Sequence, residues 1–129
     1  MLHQHILLVL SKMIKGFFRN GCPFIKILVE GVNIEAMIDT GFNGYLMLSQ
    51  RLIDELDLEQ IGFSDYTTAS GERKQTKIYK AIVELLNRKI EVSVISTDID
   101  ISLAGMDLFD KFRIVVEKGK NNVEIGLIK

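Results

Sequence analysis

The most informative stretch of this sequence runs from residue 24 to residue 41 and reads Phe24-Ile-Lys-Ile-Leu-Val29-Glu30-Gly31-Val32-Asn-Ile-Glu-Ala-Met-Ile38-Asp39-Thr40-Gly41. Its first part is apolar and rich in branched residues, which favours a β-strand. Glu30-Gly31 is typical of a turn, and apolar residues then recur at every second position up to Ile38. The stretch therefore predicts a β-hairpin whose second strand runs directly into Asp39-Thr40-Gly41.

The chain on either side repeats this pattern of short strands separated by turn residues. Further strands are expected at 45–48, 61–69, 78–86 and 89–94, and as a hairpin formed by 113–117 and 123–128. A short helix is expected after Ser49, which is a plausible N-cap, and one or two helical turns are expected over 106–112. The fold class that this order indicates is mainly β, a small closed or nearly closed barrel with one or two short helices.

The composition of the chain limits the kinds of partner and bound group that we expect. The 129 residues fit one domain, and 47% hydrophobic residues exclude a disordered chain. Sixteen basic and seventeen acidic residues give a net charge of -1, and the Lys and Arg residues are scattered, so no nucleic-acid partner is expected. The one cysteine, Cys22, excludes an internal disulfide and a cysteine-rich zinc site. We expect no metal and no cofactor. We also expect a cytoplasmic location, because a chain with one cysteine is compatible with a reducing compartment.

The N-terminus is expected to be an extension, residues 1–20, that precedes a domain of residues 21–129. Its apolar run Ile6–Leu10 is much shorter than the roughly 20 residues that span a bilayer. It also lacks a preceding basic residue and a small-residue cleavage site. We therefore expect no targeting segment and no membrane partner, and interpret the run as a short strand or helix packed on the domain.

Asp39-Thr40-Gly41 is the motif best suited to chemistry. An aspartate at the end of an apolar strand is presented into a cleft from a rigid scaffold. The Thr40 hydroxyl can hydrogen-bond the backbone of the turn. Gly41 has no Cβ, so its backbone can approach the carboxylate and donate an N–H to it.

From Phe24 to the C-terminus the sequence resembles the retropepsin-like aspartic proteases. Met37-Ile-Asp-Thr-Gly41 matches the family pattern of two apolar residues followed by Asp-Thr-Gly. The hairpin expected around Ala69-Ser-Gly-Glu72 stands where the family has the flap that covers the substrate. Leu103-Ala-Gly105 resembles the element that packs behind the catalytic loop, and 106–112 stands where the family has a short helix. Order and spacing are closer to single-domain prokaryotic members than to viral ones.

The resemblance implies roles for individual residues. Asp39 would be catalytic, Thr40 and Gly41 would support its loop, and Ser70 and Gly71 near the flap tip would contact substrate. The residue after Asp-Thr-Gly is usually Ala or Ser in the family, whereas here it is Phe42, which would line or crowd a substrate pocket.

Hydrolysis by this family needs two carboxylates that share one proton and hold a water molecule between them. Aspartic proteases are the standard example of such a carboxylate pair. The sequence has one Asp-Thr-Gly, and its other aspartates offer no second copy. A symmetric homodimer acting on peptide or protein substrates is therefore expected, with Asp39 of each subunit at the two-fold axis. The resemblance also implies that Thr40 hydrogen-bonds across that axis.

Less specific interpretations remain open. Asp39 could be a structural turn residue, because Asx-turns are common at strand ends. The chain could equally be a catalytically silent barrel of the same architecture that dimerises or binds peptides. His3 and His5 are a weak metal pair, and the acidic residues Asp98, Asp100, Asp107 and Asp110 lack the spacing of a calcium loop. Motifs of serine, cysteine, nucleotide-binding and dinucleotide-binding enzymes are not found in the sequence.

Overall fold

A computed structural model describes residues 13–128 of the chain. The predictions for Ile6–Leu10, His3 and His5 lie outside this range. The strands are β1 Met13–Lys15, β2 Phe17–Arg19, β3 Cys22–Val29, β4 Val32–Ile38, β5 Leu46–Ser49, β6 Glu59–Thr67, β7 Arg73–Leu85, β8 Arg88–Thr97, β9 Leu103–Ala104, β10 Phe112–Glu117 and β11 Asn122–Leu127. The helix α1 is Gln50–Glu55, and 3-10 turns occur at Met106–Phe109 and Lys118–Lys120.

Most strands belong to one sheet that closes on itself. Its order is β2-β3-β4-β9-β5-β8-β7-β6, and β3 also pairs with β7, so that Val29 lies opposite Val83. Six strands thereby form a ring around the core, while β1, β11 and β10 form a separate three-stranded sheet. The prediction of a mainly β fold with a small closed barrel is confirmed.

The hairpin predicted from the sequence is formed by β3 and β4, with Val29 opposite Val32. Glu30 and Gly31 connect the two strands with φ angles of 50° and 78°. Positive φ at both central residues is the geometry of the two-residue turn that matches the twist of paired strands. The alternating apolar residues of both strands point into the ring, and these are Ile25, Ile27, Val29, Ile34, Ala36 and Ile38.

The short helix α1 begins after Ser49, whose Oγ accepts a hydrogen bond of 3.2 Å from the Leu52 N–H. Ile53 faces the core with 1% exposure, and Leu52 and Leu56 pack beside it. The predicted helix and its Ser49 cap are therefore confirmed. The second helical segment is shorter than the expected 106–112, because Phe112 is already paired with Leu127 in β10 and β11.

Strand β9 has only two residues but lies between β4 and β5. It runs parallel to β4, with Ala104 opposite Ile38, and antiparallel to β5, with Ala104 opposite Leu46. This insertion holds the end of β4 in place, directly before Asp39. Within residues 13–128, no helix has the length and apolarity needed to cross a membrane.

Candidate active site

Asp39 is the first residue after β4. Its backbone N–H donates to the Ala104 carbonyl at 3.0 Å, which extends the pairing between β4 and β9 by one bond. The Gly41 N–H donates to Asp39 Oδ1 at 2.9 Å, and the Phe42 N–H donates to the Asp39 carbonyl at 3.2 Å. The carboxylate is therefore oriented by the turn that follows it, and the residue remains partly exposed.

Thr40 and Gly41 are both exposed at the tip of this turn. The hydrogen bond that orients the carboxylate comes from Gly41, as the sequence predicted. A Cβ on Gly41 would lie 3.4 Å from Asp39 Oδ1, which is an ordinary van der Waals contact.

Gly105 lies directly behind the Asp39 loop. Its N–H donates to the Tyr45 carbonyl at 2.9 Å, and the following Met106 N–H donates to the Phe42 carbonyl at 2.8 Å. A Cβ on Gly105 would lie 2.6 Å from Phe42 Cδ2 and would overlap the Gly44 carbonyl. The segment Leu103-Ala-Gly105 therefore has the position that the resemblance implied.

The Phe42 ring packs against both Gly44 and Gly105. A Cβ on Gly44 would lie 2.6 Å from Phe42 Cζ. Its exposed side lines a cleft of about 640 Å³. The cleft is bounded by α1, the middle of the β6–β7 hairpin and the end of β8, and its lining residues are Phe42, Met47, Gln50, Ser64, Gln75, Thr76, Lys77, Ile95, Ser96, Thr97 and Asp98. Phe42 thus connects the Asp39 loop to this cleft.

The predicted flap hairpin is formed by β6 and β7 and has a hydrogen-bonded tip. The Gly71 N–H donates to the Thr68 carbonyl, the Thr68 N–H donates to the Glu72 carbonyl, and the hydroxyls of Thr68 and Ser70 lie 2.9 Å apart. Gly71 has a φ of 86°, which favours glycine there. Ser70 and Gly71 are exposed at the tip and do not line the cleft, whereas Ser64 and Thr76 in the middle of the hairpin do.

A polar network in the cleft wall was missed at the level of sequence. Gln50 Nε2 donates to Asp54 Oδ1 at 2.9 Å and to the Tyr79 hydroxyl at 3.0 Å. Gln50 Oε1 accepts from Ser96 Oγ at 2.6 Å, and Thr76 Oγ1 donates to the Ser96 carbonyl at 2.8 Å. These residues come from α1, β7 and β8, so no local sequence pattern indicates that they meet.

Among residues 13–128, no group of three His, Cys, Asp or Glu side chains is placed to hold a metal ion. Of the four acidic residues considered for calcium, Asp100 pairs with Arg51 at 3.2 Å. Cys22 is a free, partly buried thiol.

Solved structures similar to this chain include three proteases. A retropepsin-like aspartic protease from Rickettsia conorii has 25% identity and a TM-score of 0.65, with 88% of this chain and 87% of that chain covered. The EIAV protease, solved with the inhibitor HBY-793, has 17% identity and a TM-score of 0.58, with coverage of 68% and 85%. The simian foamy virus protease has 20% identity and a TM-score of 0.53, with coverage of 65% and 88%.

No protein-family model and no curated protein matches the sequence. The assignment of the fold therefore rests on structural similarity. For the Rickettsia protein this similarity extends over most of both chains. The part of the chain described by the structure has the retropepsin-like fold of the aspartic proteases.

Proposed function

We propose that the chain is one subunit of a homodimeric aspartic endopeptidase that hydrolyses peptide bonds with a water molecule held between two Asp39 carboxylates. The observation that carries this proposal is the Asp39 turn: a carboxylate oriented by the Gly41 N–H at the end of a ring strand. The single cysteine suits a reducing compartment, and we place the enzyme in the cytoplasm.

The reaction requires one ionised and one protonated carboxyl group. The ionised Asp39 takes a proton from the water molecule while the water oxygen attacks the scissile carbonyl carbon. The protonated Asp39 of the other chain donates its proton to the carbonyl oxygen. Each chain contributes one of these groups, so the site is complete only in the dimer. Thr40 is exposed beside Asp39, and its hydroxyl is available to a partner subunit across the two-fold axis.

The β6–β7 hairpin would act as the flap. Its tip, with Ser70 and Gly71, is polar and exposed and buries little apolar surface, so it is expected to move more readily than the ring. Closure over an extended peptide would add strand-like hydrogen bonds and exclude water from the two carboxylates. Phe42 would form part of the pocket for a substrate side chain, because its ring lines the neighbouring cleft.

The central test is Asp39→Asn. Asparagine keeps the Oδ1 acceptor for the Gly41 N–H but cannot act as general base, so peptide cleavage should fall to background while the dimer mass and melting temperature stay unchanged. Cleavage of an unstructured protein, light scattering and thermal unfolding provide the readouts. The control Asp57→Asn replaces an exposed acid that does not line the cleft and should leave cleavage intact. Retained cleavage in Asp39→Asn would overturn the mechanism.

A silent peptide-binding or dimerisation module is the second candidate, and Phe42 favours it. Its ring packs beside the Asp39 loop where the family usually has a small residue. In that case a peptide containing a statine-type transition-state mimic would bind, yet no substrate would be cleaved between about pH 4 and pH 7.

A further inference from the structure

The β6–β7 hairpin leaves the ring at one level of the sheet. Pairing of β7 with β8 ends where Ile78 lies opposite Ile95, and beyond that pair β7 continues in register with β6 alone. The register between β6 and β7 shifts at the same level, between Gln60 and Gly62. A β-bulge of this kind bends the strand that contains it. Residues 63–77, which we call the hairpin arm, therefore project from a bend and pair with no third strand in the described part of the chain.

One side chain connects the hairpin arm to the wall of the cleft. Thr76 Oγ1 donates to the Ser96 carbonyl at 2.8 Å, and Ser96 follows Ile95 in β8. Thr76 and Ser96 are both partly buried, so water competes less for this hydrogen bond than for one at the exposed tip. Among the side chains of the arm that the structure describes, Thr76 is the one that hydrogen-bonds to a residue outside the arm. Thr76 therefore limits how far the arm can move about the bend.

The residue that accepts this hydrogen bond is itself held in place. Ser96 Oγ donates to Gln50 Oε1 at 2.6 Å. The Gln50 amide is fixed in turn, because its Nε2 donates to the Tyr79 hydroxyl and to Asp54 Oδ1. Tyr79 is only 6% exposed and lies in the part of β7 that is still paired with β8. The acceptor for Thr76 is thus tied to α1 and to the ring side of the bend.

We propose that Thr76 is a positioning residue that holds the hairpin arm over the cleft, through the Ser96 carbonyl, before a substrate binds. The inference rests on the proposed peptidase function, in which this hairpin closes over an extended peptide. An arm that is already held loses less conformational freedom on binding than a free arm does, so the hydrogen bond lowers the entropic cost of closure. Thr76 acts on substrate binding and not on the Asp39 carboxylates, so its loss should raise KM with little change in kcat.

Amide hydrogen exchange tests the mobility of the hairpin arm whether or not the protein cleaves peptides. Thr76→Val keeps the shape of the side chain but removes the hydroxyl. Amides of residues 63–77 should then exchange roughly fivefold faster, the factor expected for one neutral hydrogen bond. Thr76→Ser keeps the hydroxyl and should exchange like the wild type. Thr67→Val makes the same change at an exposed position of β6 and should also exchange like the wild type.

Ser96→Ala tests the anchor of the same hydrogen bond. This variant keeps the carbonyl that accepts from Thr76 but removes the hydroxyl that ties Ser96 to Gln50. Exchange in the hairpin arm should therefore accelerate by a smaller factor than in Thr76→Val. Melting temperatures measured alongside show that each variant is folded under the conditions of the exchange experiment.

Peptide affinity separates this inference from the proposed function. Calorimetry with a peptide that carries a statine-type unit should give roughly fivefold weaker binding to Thr76→Val than to the wild type, and KM for cleavage should rise by a similar factor. If no peptide is cleaved but exchange and affinity change as expected, the peptidase proposal fails and the role of Thr76 stands. Wild-type exchange in Thr76→Val, faster exchange with unchanged affinity and KM, or a loss confined to kcat would overturn the role of Thr76.

Discussion

Gly105 illustrates how a single position shapes the candidate site. It has no room for a side chain, because Phe42 and the Gly44 carbonyl occupy the space where a Cβ would project. Its own N–H and that of Met106 fasten the Asp39 loop to β9 through the carbonyls of Tyr45 and Phe42. A substitution at Gly105 would therefore shift Asp39 through the loop between them, although Gly105 follows β9 and Asp39 follows β4.

Gly105→Ala should lower the free energy of unfolding by roughly 1–3 kcal/mol, the usual range for overpacking a tight site. It should also reduce cleavage, because the loop that orients the Asp39 carboxylate must shift. Urea unfolding and peptide cleavage measure the two effects. Gly119→Ala is the matched control, since a Cβ there meets nothing within 4 Å. Equal stability of the two variants would show that the loop accommodates the methyl group freely.

At the scale of elements, β1 is a three-residue edge strand that depends on β11. Besides the backbone ladder, the Lys15 ammonium bonds to the Glu124 carboxylate and to Asn122 Oδ1. The hydrogen bond from Lys15 holds the pKa of the Glu124 carboxyl below its ordinary value. The pair is exposed, so its contribution to stability is small and sensitive to salt.

The lowered pKa of Glu124 determines the direction in which the stability of the fold changes with pH. A carboxyl whose folded-state pKa is depressed contributes stability above its unfolded pKa and loses it as the pH falls through the folded value. Lys15→Met should therefore melt at a lower temperature than the wild type at neutral pH, and the difference should vanish in acid. Melting curves in low salt from about pH 7 to about pH 3 measure this. Lys89→Met, an exposed lysine on β8, should show no such convergence, and a difference that persists in acid would assign the effect to packing.

At the scale of the whole molecule, the closed ring explains why the proposed enzyme needs a partner. The ring contains one copy of the Asp-Thr-Gly turn, and closure through β3 and β7 leaves Asp39, Thr40 and Gly41 at one end of it. Asp39 and Thr40 of a second copy are the groups that would complete the site. The proposed assembly thus follows from the number of carboxylates that the chemistry requires.

Mixing experiments test this at the same scale. Adding an excess of Asp39→Asn chains to the wild type should lower activity per wild-type chain, because most wild-type chains would then belong to dimers that hold a single Asp39 carboxylate. Dilution of the wild type should also lower activity per chain once dimers dissociate. Cleavage rate and light scattering are measured together. Activity per wild-type chain that stays constant under both treatments would show that one chain is sufficient.

Local patterns were enough to predict much of this protein. The β3–β4 hairpin, the Ser49 cap and the Gly41 hydrogen bond to Asp39 all involve residues within a few positions of one another. Period-two alternation, cap chemistry and turn preferences act over such distances, so they can be inferred from the chain alone. The fold class followed from the order of these elements.

Contacts between distant segments were settled only in three dimensions. The insertion of β9 between β4 and β5, the closure of β3 on β7 and the Gln50 network each join residues far apart in the chain. The pairing of Phe112 with Leu127 likewise ended the second helical segment early. Such contacts depend on packing the whole ring at once, because the register of each strand is set by neighbours that no local pattern identifies.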